Sequence, residues 1–196
     1  MGGRLPLLSP ADLTPDQAAV YKSYMSNEVP WAQTAGFRST THDGRLIGPF
    51  NPNLYSPRVG MGFISFARAL DTSSSLTPRV RQVVILSVAA LWRAEYELYA
   101  HEAVAGQAGL SQEQISILVS GGLPDDLSEA ETVAHHCATN LTRAHRLEDT
   151  LYARAEQAFT KSGMVDLVYL VGHYLAVSVL LNTFEIPSPE RSESGE

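Results

Sequence analysis

The sequence predicts an all-α protein. Apolar residues recur at helical spacing, as at Val80, Val84 and Val88, and no segment shows a convincing strand pattern. Pairs typical of helix starts, Ser or Thr followed three residues later by Gln or Glu, occur along the chain, and glycines follow several helical segments. The 196 residues are 44% apolar and 18% charged, which is enough for a core and leaves weakly polar surface for contacts between subunits.

Helix-capping residues and Gly/Pro-rich turn formers predict the secondary structure of the first half of the chain. Thr14, with Pro15 and Gln17, predicts a helix over 14–26. Residues 27–57 are rich in Gly, Pro, Asn and Ser and predict a long, packed loop. Helices are then predicted over 57–69 and, after Thr77-Pro78, without interruption past Arg93 to Ala108, where Gly109 ends the segment.

The second half adds four more helices. Ser111 with Gln114, and Ser128 with Glu131, predict helices that run to about residues 120 and 144. The last two are predicted over about 149–160 and 164–184. We divide the chain into an N-terminal extension of a helix and a Gly/Pro-rich loop (1–56), a helical domain (57–187) and a flexible tail (188–196).

Charge and cysteine content exclude several classes of protein. The net charge is −7 and no Lys/Arg run occurs, so nucleic acid is not an expected partner. The chain starts without a secretory signal pattern, and its single cysteine, Cys137, agrees with a reducing compartment, so we expect a cytoplasmic protein. Residues 164–181 approach the length of a membrane span, but Asp166, Gly172 and His173 interrupt them, which favours a buried central helix and no membrane partner.

Ionisable residues are densest over 93–102. At about 100° per residue, Glu97 and His101 fall on one helix face, where a carboxylate orients an imidazole for general acid/base work. The alternative is an ordinary solvent-exposed Glu/His pair, which spacing alone favours. The remaining histidines show no metal-ligand spacing with a carboxylate, so no metal site is predicted.

Three segments, 77–86, 92–102 and 108–111, resemble the carboxymuconolactone decarboxylase family, which also contains the AhpD-type alkylhydroperoxidases. The spacing of Glu95, Glu97 and His101 is similar to the decarboxylase branch, and 182–185 resembles the family's Asn-x-Phe ending. The core resemblance covers roughly 57–121, with a looser one to 187. It implies an AhpD-like helical bundle that assembles as a homo-oligomer, a trimer or hexamer.

The resemblance also implies a mechanism. The substrate would be a small unsaturated lactone, an enol or an aromatic-derived carboxylic acid, and no cofactor would be needed. His101 would donate the proton and Glu97 would orient it, while Glu95 or Asn182 would position the substrate. The predicted lining of the pocket comprises Tyr96, Tyr99, Tyr174, His173 and Arg45.

Separate observations single out two of these lining residues. His173 interrupts an apolar helix, and a satisfied core histidine is the competing interpretation. Arg45 lies in the loop over 42–57, where it would bind a substrate carboxylate.

The departures from the family bear on the reaction. Aligned on His101, Ala94 and Glu97 stand where the hydroperoxidase branch has its two cysteines, and Gln82 replaces a glutamate that relays protons. Thiol peroxidase activity is therefore not expected, and Cys137 is interpreted as a small buried residue. Two alternatives remain open: an isomerase, dehydratase or cyclase that uses the same Glu/His pair, and a non-catalytic oligomeric binding protein.

Overall fold

The computed structural model of the chain describes residues 3–189, and the regular structure within them is helical apart from an isolated bridge between Thr40 and Leu46. The prediction of an all-α protein is confirmed. A single 3-10 turn, Pro10–Asp12, precedes the α-helices. These are α1 (Pro15–Ser26), α2 (Glu28–Ala35), α3 (Phe50–Tyr55), α4 (Pro57–Thr72), α5 (Pro78–Trp92), α6 (Glu95–Gln107), α7 (Gln112–Val119), α8 (Glu129–Ala144) and α9 (Asp149–Thr183).

The predicted helix starts are confirmed. At Thr14, Ser111 and Ser128 the side chain accepts a hydrogen bond from the backbone N–H three residues on, and the Gln or Glu at that position accepts one from the cap's own backbone. Thr77 accepts in the same way from the backbone of Val80. Each cap satisfies donors that a helix end leaves unpaired, which is why these starts are readable from sequence.

The loop predicted over 27–57 is partly wrong, because it contains α2 and α3. Neither helix has a side-chain cap at its N-terminus, so neither is marked in the sequence. Both are held by packing: Val29 and Ala32 of α2, and Phe50 and Leu54 of α3, are buried in the same apolar cluster. Tertiary burial, rather than local propensity, makes these short segments helical.

The uninterrupted helix predicted over 77–108 is also wrong. Arg93 adopts a left-handed conformation, with φ 52° and ψ 42°, and ends α5. The backbone N–H of Ala94 then donates to the carbonyl of Ala89 at 3.0 Å, which closes the helix end. Glycine usually occupies such a position, and an arginine there carries no recognisable break signal. The new helix α6 ends as predicted, with Gly109 at φ 91°.

Helix α9 contains the break that was predicted between residues 160 and 164. Thr160 has φ 59° and ψ 173°, so two helices meet there. The C-terminal part packs against α5 and α8 through Leu167, Leu170 and Val171. Within the described residues, α9 is the one helix long and apolar enough to cross a membrane by length and composition, and 44% of its most apolar window is buried inside the fold.

The N-terminal extension shares a core with the helical domain. Val20, Leu46 and Leu54 are fully buried in one cluster with Tyr96 of α6 and Leu181 of α9. A second cluster lies between α5, α8 and α9, and a third lies between α5, α6 and α7. The boundary at residue 56 stays a prediction, and the predicted tail lies outside the described residues from 190 onward.

Candidate active site

Helix α6 places Glu97 and His101 inside the protein. Their exposed fractions are 3% and 5%, and His101 Nε2 lies 3.3 Å from Glu97 Oε2. The contact is within ion-pair distance, yet Glu97 Oε2 has no aligned hydrogen-bond donor among the described residues. The exposed surface pair that spacing alone favours is therefore not what forms.

A third residue, Gln82 of α5, contacts the other nitrogen of the imidazole. Its Oε1 lies 2.8 Å from His101 Nδ1. An amide oxygen only accepts, so with the Gln82 amide assigned in this orientation Nδ1 carries a proton and donates. Nε2 then faces Glu97 Oε2 across the 3.3 Å contact. The three side chains form a buried chain, Gln82–His101–Glu97, in which the imidazole lies between an amide and a carboxylate.

These three side chains border a cavity of about 580 Å³ that lies between helices α1 to α6 and α9, and its size suits a small organic molecule. Five of the predicted site residues line it: Tyr96, Glu97, His101, His173 and Tyr174. Most of the remaining wall is apolar or aromatic. Among its members are Trp31, Phe37, Phe50, Phe63, Ile64, Ile85, Val104, Leu170 and Val177.

Aromatic rings pack around both histidines. Tyr174 lies edge-on to His101 and to His173, with ring centroids 5.2 Å apart in each case. Phe63 stacks on His173 with centroids 4.4 Å apart. Burial lowers the pKa of His173 to about 4; Glu97 opposes that shift and His101 adds to it. His173 is therefore neutral at pH 7, and its Nδ1 has no hydrogen-bond partner among residues 3–189, unlike a satisfied core histidine.

Tyr96 and Tyr174, two of the three tyrosines in the cavity wall, are neutral phenols. Burial raises the pKa of Tyr96 and of Tyr174 well above the usual value, and the charge of Glu97 adds to both shifts. The hydroxyl of Tyr96 donates to the carbonyl of Arg38 at 2.6 Å. Gly48 lies against the Tyr96 ring with φ 62°, and an added Cβ would approach the ring carbon Cζ to 2.2 Å, so only glycine fits.

Four predicted site residues lie outside the cavity lining: Glu95, Tyr99, Asn182 and Arg45. The hydroxyl of Tyr99 accepts a hydrogen bond from the backbone N–H of Arg38 at 3.0 Å, so it holds the chain after α2. Asn182 Nδ2 donates to the carbonyl of Trp92 at 2.6 Å and satisfies the end of α5 that the break at Arg93 exposes.

Arg45 and Glu95 are also placed by local structure. The Arg45 guanidinium donates to Asp43 Oδ2 at 2.7 Å and to the carbonyl of Leu7 at 3.1 Å, which ties the loop to the N-terminal segment. Glu95 is a half-buried residue in the first turn of α6. Because α6 begins only after Arg93, the continuous helix predicted from the sequence placed the residues near the break on the wrong helix faces.

The sequence analysis did not predict two ion pairs in the cavity wall. Arg68 of α4 donates to both carboxylate oxygens of Glu28, at 2.7 and 2.8 Å. Arg81 of α5 donates to Asp71 Oδ1 at 2.9 Å. Arg68 and Glu28 are 40 residues apart along the chain, and no spacing rule connects them. Gln82 was noted only as a departure from the family pattern.

Other titratable groups of the described residues lie away from the cavity lining, among them Cys137 and His135. Within the described part of the chain, no group of three His, Cys, Asp or Glu side chains is close enough to hold a metal ion. Cys137 is fully buried between α5, α8 and α9, and burial raises the pKa of its thiol to about 11. His135 Nδ1 lies 2.9 Å from Ser87 Oγ in the interior.

Solved structures with the same fold span almost the whole chain. An uncharacterised peroxidase-related protein with an alkylhydroperoxidase AhpD core, from Ralstonia eutropha, is 15% identical with a TM-score of 0.75, covering 96% of this chain and 93% of its own. A cysteine-to-alanine variant of the debrominase Bmp8, in complex with 2,3,4-tribromopyrrole, is 12% identical with a TM-score of 0.73, covering 99% and 96%. A peroxidase-related protein from a Silicibacter species is 15% identical with a TM-score of 0.69, covering 96% and 93%.

At the level of sequence, no curated protein matches the chain. Residues 57–140, which span α4 to most of α8, match the model of the carboxymuconolactone decarboxylase family. The match includes Gln82, Glu97 and His101. This segment is therefore of the carboxymuconolactone decarboxylase type, and the solved structures show that the chain as a whole has an AhpD-like helical fold.

Proposed function

We propose that the protein is a cofactor-independent acid/base enzyme that transfers a proton at carbon in a small unsaturated lactone, an enol or an aromatic-derived carboxylic acid. The observation that carries the proposal is the buried Gln82–His101–Glu97 chain facing a cavity of about 580 Å³. A buried imidazole that donates to an amide oxygen at Nδ1 and faces a carboxylate with Nε2 is suited to general acid/base catalysis.

The proton balance is simple for an enol. The substrate O–H gives its proton to Glu97 Oε2 while His101 Nε2–H protonates the carbon, so one proton leaves the substrate and one arrives. Glu97 then returns its proton to His101 Nε2 across the 3.3 Å contact, which restores the pair. For a carboxylate substrate, loss of CO2 would generate the same electron-rich carbon, His101 Nε2–H would protonate it, and a proton from water would then restore Nε2–H.

The remaining groups of the cavity support this chemistry by excluding water. Apolar and aromatic side chains form most of the wall, and a low-dielectric site strengthens interactions with developing charge. Among the structural neighbours, the debrominase Bmp8 holds 2,3,4-tribromopyrrole, a small uncharged ring. The open cavity beside the Glu/His pair favours an enzyme over a purely structural bundle.

The test uses two γ-lactone probes in D2O, a β,γ-unsaturated butenolide and its carboxylated counterpart. NMR follows double-bond migration with deuterium incorporation at carbon, and a CO2 assay follows decarboxylation. His101→Ala should lower the rate of whichever of the two reactions the wild-type protein catalyses by about 10²- to 10⁴-fold. His42→Ala, which changes an exposed loop histidine, is the matched control and should leave it unchanged. Equal rates for His101→Ala and the wild-type protein would overturn the proposal.

We also propose that the protein acts in the cytoplasm as a homo-oligomer, a trimer or hexamer. Large apolar side chains of α4 and α9 stay exposed in the single chain, among them Val59, Val165, Val168 and Tyr169. Such surface is typical of subunit contacts. Light scattering on the purified protein should give three or six times the chain mass of 21.3 kDa. A monomer at micromolar concentration would contradict the assembly.

A further inference from the structure

Two buried polar atoms of the cavity wall have no partner in the part of the chain that the structure describes. They are Glu97 Oε2 and His173 Nδ1. Both residues line the cavity, and both are nine-tenths or more buried. A buried polar atom without a hydrogen bond is unfavourable, so these two atoms favour a ligand that supplies the missing hydrogen bonds.

What Glu97 lacks is a donor. A carboxylate oxygen only accepts, and the nearest donor, His101 Nε2 at 3.3 Å, is not aligned with it. His173 is neutral because burial lowers its pKa to about 4, so its Nδ1 adds no positive charge. Glu97 Oε2 therefore offers a hydrogen-bond acceptor to a hydroxyl or a ring N–H of the ligand.

The charges around the cavity argue against an anionic ligand. Each arginine of the wall is matched by a carboxylate, Arg68 by Glu28 and Arg81 by Asp71. Glu97 adds a further carboxylate, which faces the imidazole of His101. A ligand carboxylate beside Glu97 would place two carboxylates close together, and the proton-carrying ring of His101 already faces Glu97, which makes an anionic ligand unfavourable in a buried site.

The apolar part of the cavity suits a flat ring. Phe63 stacks on His173, and Tyr174 stands edge-on to both histidines, so aromatic faces and edges border the unpartnered atoms. Planar ligands gain from stacked and edge-on contacts of this kind. The volume of about 580 Å³ accommodates one or two rings.

We propose that the cavity binds an uncharged planar ring that carries an O–H or N–H donor, of the phenol, enol or pyrrole class, with the donor on Glu97 Oε2, and that it discriminates against carboxylates. The inference rests on the proposed function, since it names the substrate class of the same site. Among the reactions considered above, it selects proton transfer on an uncharged enol over loss of CO2 from a free acid.

The test is a binding series that needs no turnover. Isothermal titration at pH 7 compares 4-methylphenol with its hydrocarbon counterpart p-xylene, indole with indene, and all four with 4-methylbenzoate. Each donor should bind about tenfold or more tightly than its hydrocarbon, because hydrogen bonds to charged groups are the stronger ones. Which donor binds more tightly distinguishes an O–H from an N–H ligand. The benzoate should bind more weakly than the phenol.

Two matched variants test whether Glu97 causes the preference for ligands that carry a donor. Glu97→Gln should reduce the preference for donor over hydrocarbon to about threefold or less and weaken the discrimination against benzoate, because the charge is gone while the size is kept. Glu113→Gln makes the same change on the exposed first turn of α7 and should preserve both preferences. The wild-type series remains decisive if Glu97→Gln does not fold.

The outcomes separate this inference from the proposed function. Equal or tighter binding of the benzoate, or an unchanged donor preference in Glu97→Gln, overturns the inference even if His101→Ala abolishes turnover. Donor selectivity together with unimpaired turnover in His101→Ala overturns the proposed function and leaves the ligand class standing.

Discussion

His101 Nδ1 lies 2.8 Å from Gln82 Oε1, so a side chain of α5 sets the orientation of an imidazole carried by α6. Both residues are buried, and the contact joins positions 19 apart in the chain. The amide fixes which nitrogen bears its proton and leaves Nε2 to face Glu97 and the cavity. Gln82 is in this sense a positioning residue.

The first prediction concerns this contact. Gln82→Leu removes the acceptor while keeping a similar volume, and the imidazole should lose its fixed orientation. We expect kcat to fall by about 10- to 100-fold, since misplacement of a catalytic group affects the chemical step, with KM changed less than about twofold. Gln157→Leu, an exposed change on α9, is the control. Wild-type kcat in Gln82→Leu would contradict the role.

The pH profile of Gln82→Glu provides a second readout for the same position. A carboxylate beside the ring favours the charged imidazolium, so the acid form of the pair should persist to higher pH. Activity that depends on a proton donor should therefore extend further into the alkaline range than in the wild-type protein. Glu97 and His173 also face the ring and remain unchanged in this comparison. An alkaline limb at the wild-type position would argue against direct contact with His101.

Gly48 should be intolerant of any side chain. Its φ of 62° and the 2.2 Å approach of an added Cβ to Tyr96 combine backbone strain with overlap. We expect Gly48→Ala to lower the free energy of unfolding by about 2–4 kcal/mol, measured by urea denaturation. Gly62→Ala, in α4 with open space around it, should instead be neutral or stabilise by up to about 1 kcal/mol. If Gly48→Ala were as stable as the wild-type protein, the loop would have to shift away from Tyr96 at little energetic cost, which would contradict the prediction.

The Arg79–Glu131 pair should support stability above acidic pH. Burial alone would raise the pKa of Glu131, but hydrogen bonds from Arg79 and Ser128 outweigh burial and lower it. A lowered folded-state pKa gives stability that is present above the unfolded value of about 4.5 and is lost as pH falls through the folded value.

Arg79→Met should therefore cost about 2 kcal/mol at pH 7, since it leaves a buried carboxylate without its cation, and the difference should shrink as pH falls below about 4.5. Arg154→Met disrupts an exposed pair with Glu129 and should cost less than about 1 kcal/mol. Denaturant titrations at pH 7 and pH 3.5 measure both effects. A penalty that does not change with pH would assign the role of Arg79 to packing alone.

Cys137 should be chemically inert in the folded protein. Burial raises the pKa of its thiol to about 11, so little thiolate exists at pH 7 and reagents do not reach it. Ellman's reagent should react slowly with the native protein and rapidly in urea, and Cys137→Ala should retain turnover of the accepted lactone. Stoichiometric labelling of the native protein within seconds, or thiol-dependent peroxide consumption, would restore a redox role.

Much of the fold was predictable because its signals are local. The caps at Thr14, Ser111 and Ser128 and the glycine at 109 involve atoms a few residues apart, and each was predicted correctly. The failures, α2, α3 and the break at Arg93, share one cause: no local residue marks them, and burial or a distant hydrogen bond stabilises them. Asn182 illustrates this, since it satisfies the carbonyl of Trp92 from 90 residues away.

The candidate site divides in the same way. The sequence by itself determined that Glu97 and His101 share a helix face, that the cysteines of peroxide chemistry are missing, and that an all-α chain carries the pair. Only the tertiary structure decided that the pair is buried and that Gln82 orients the imidazole. It also decided that Arg68 and Arg81 are each paired with a carboxylate. Three predicted site residues contact backbone instead of lining the cavity: Asn182, Tyr99 and Arg45. Spacing along a helix is a local property, whereas burial and charge pairing depend on which segments meet in three dimensions.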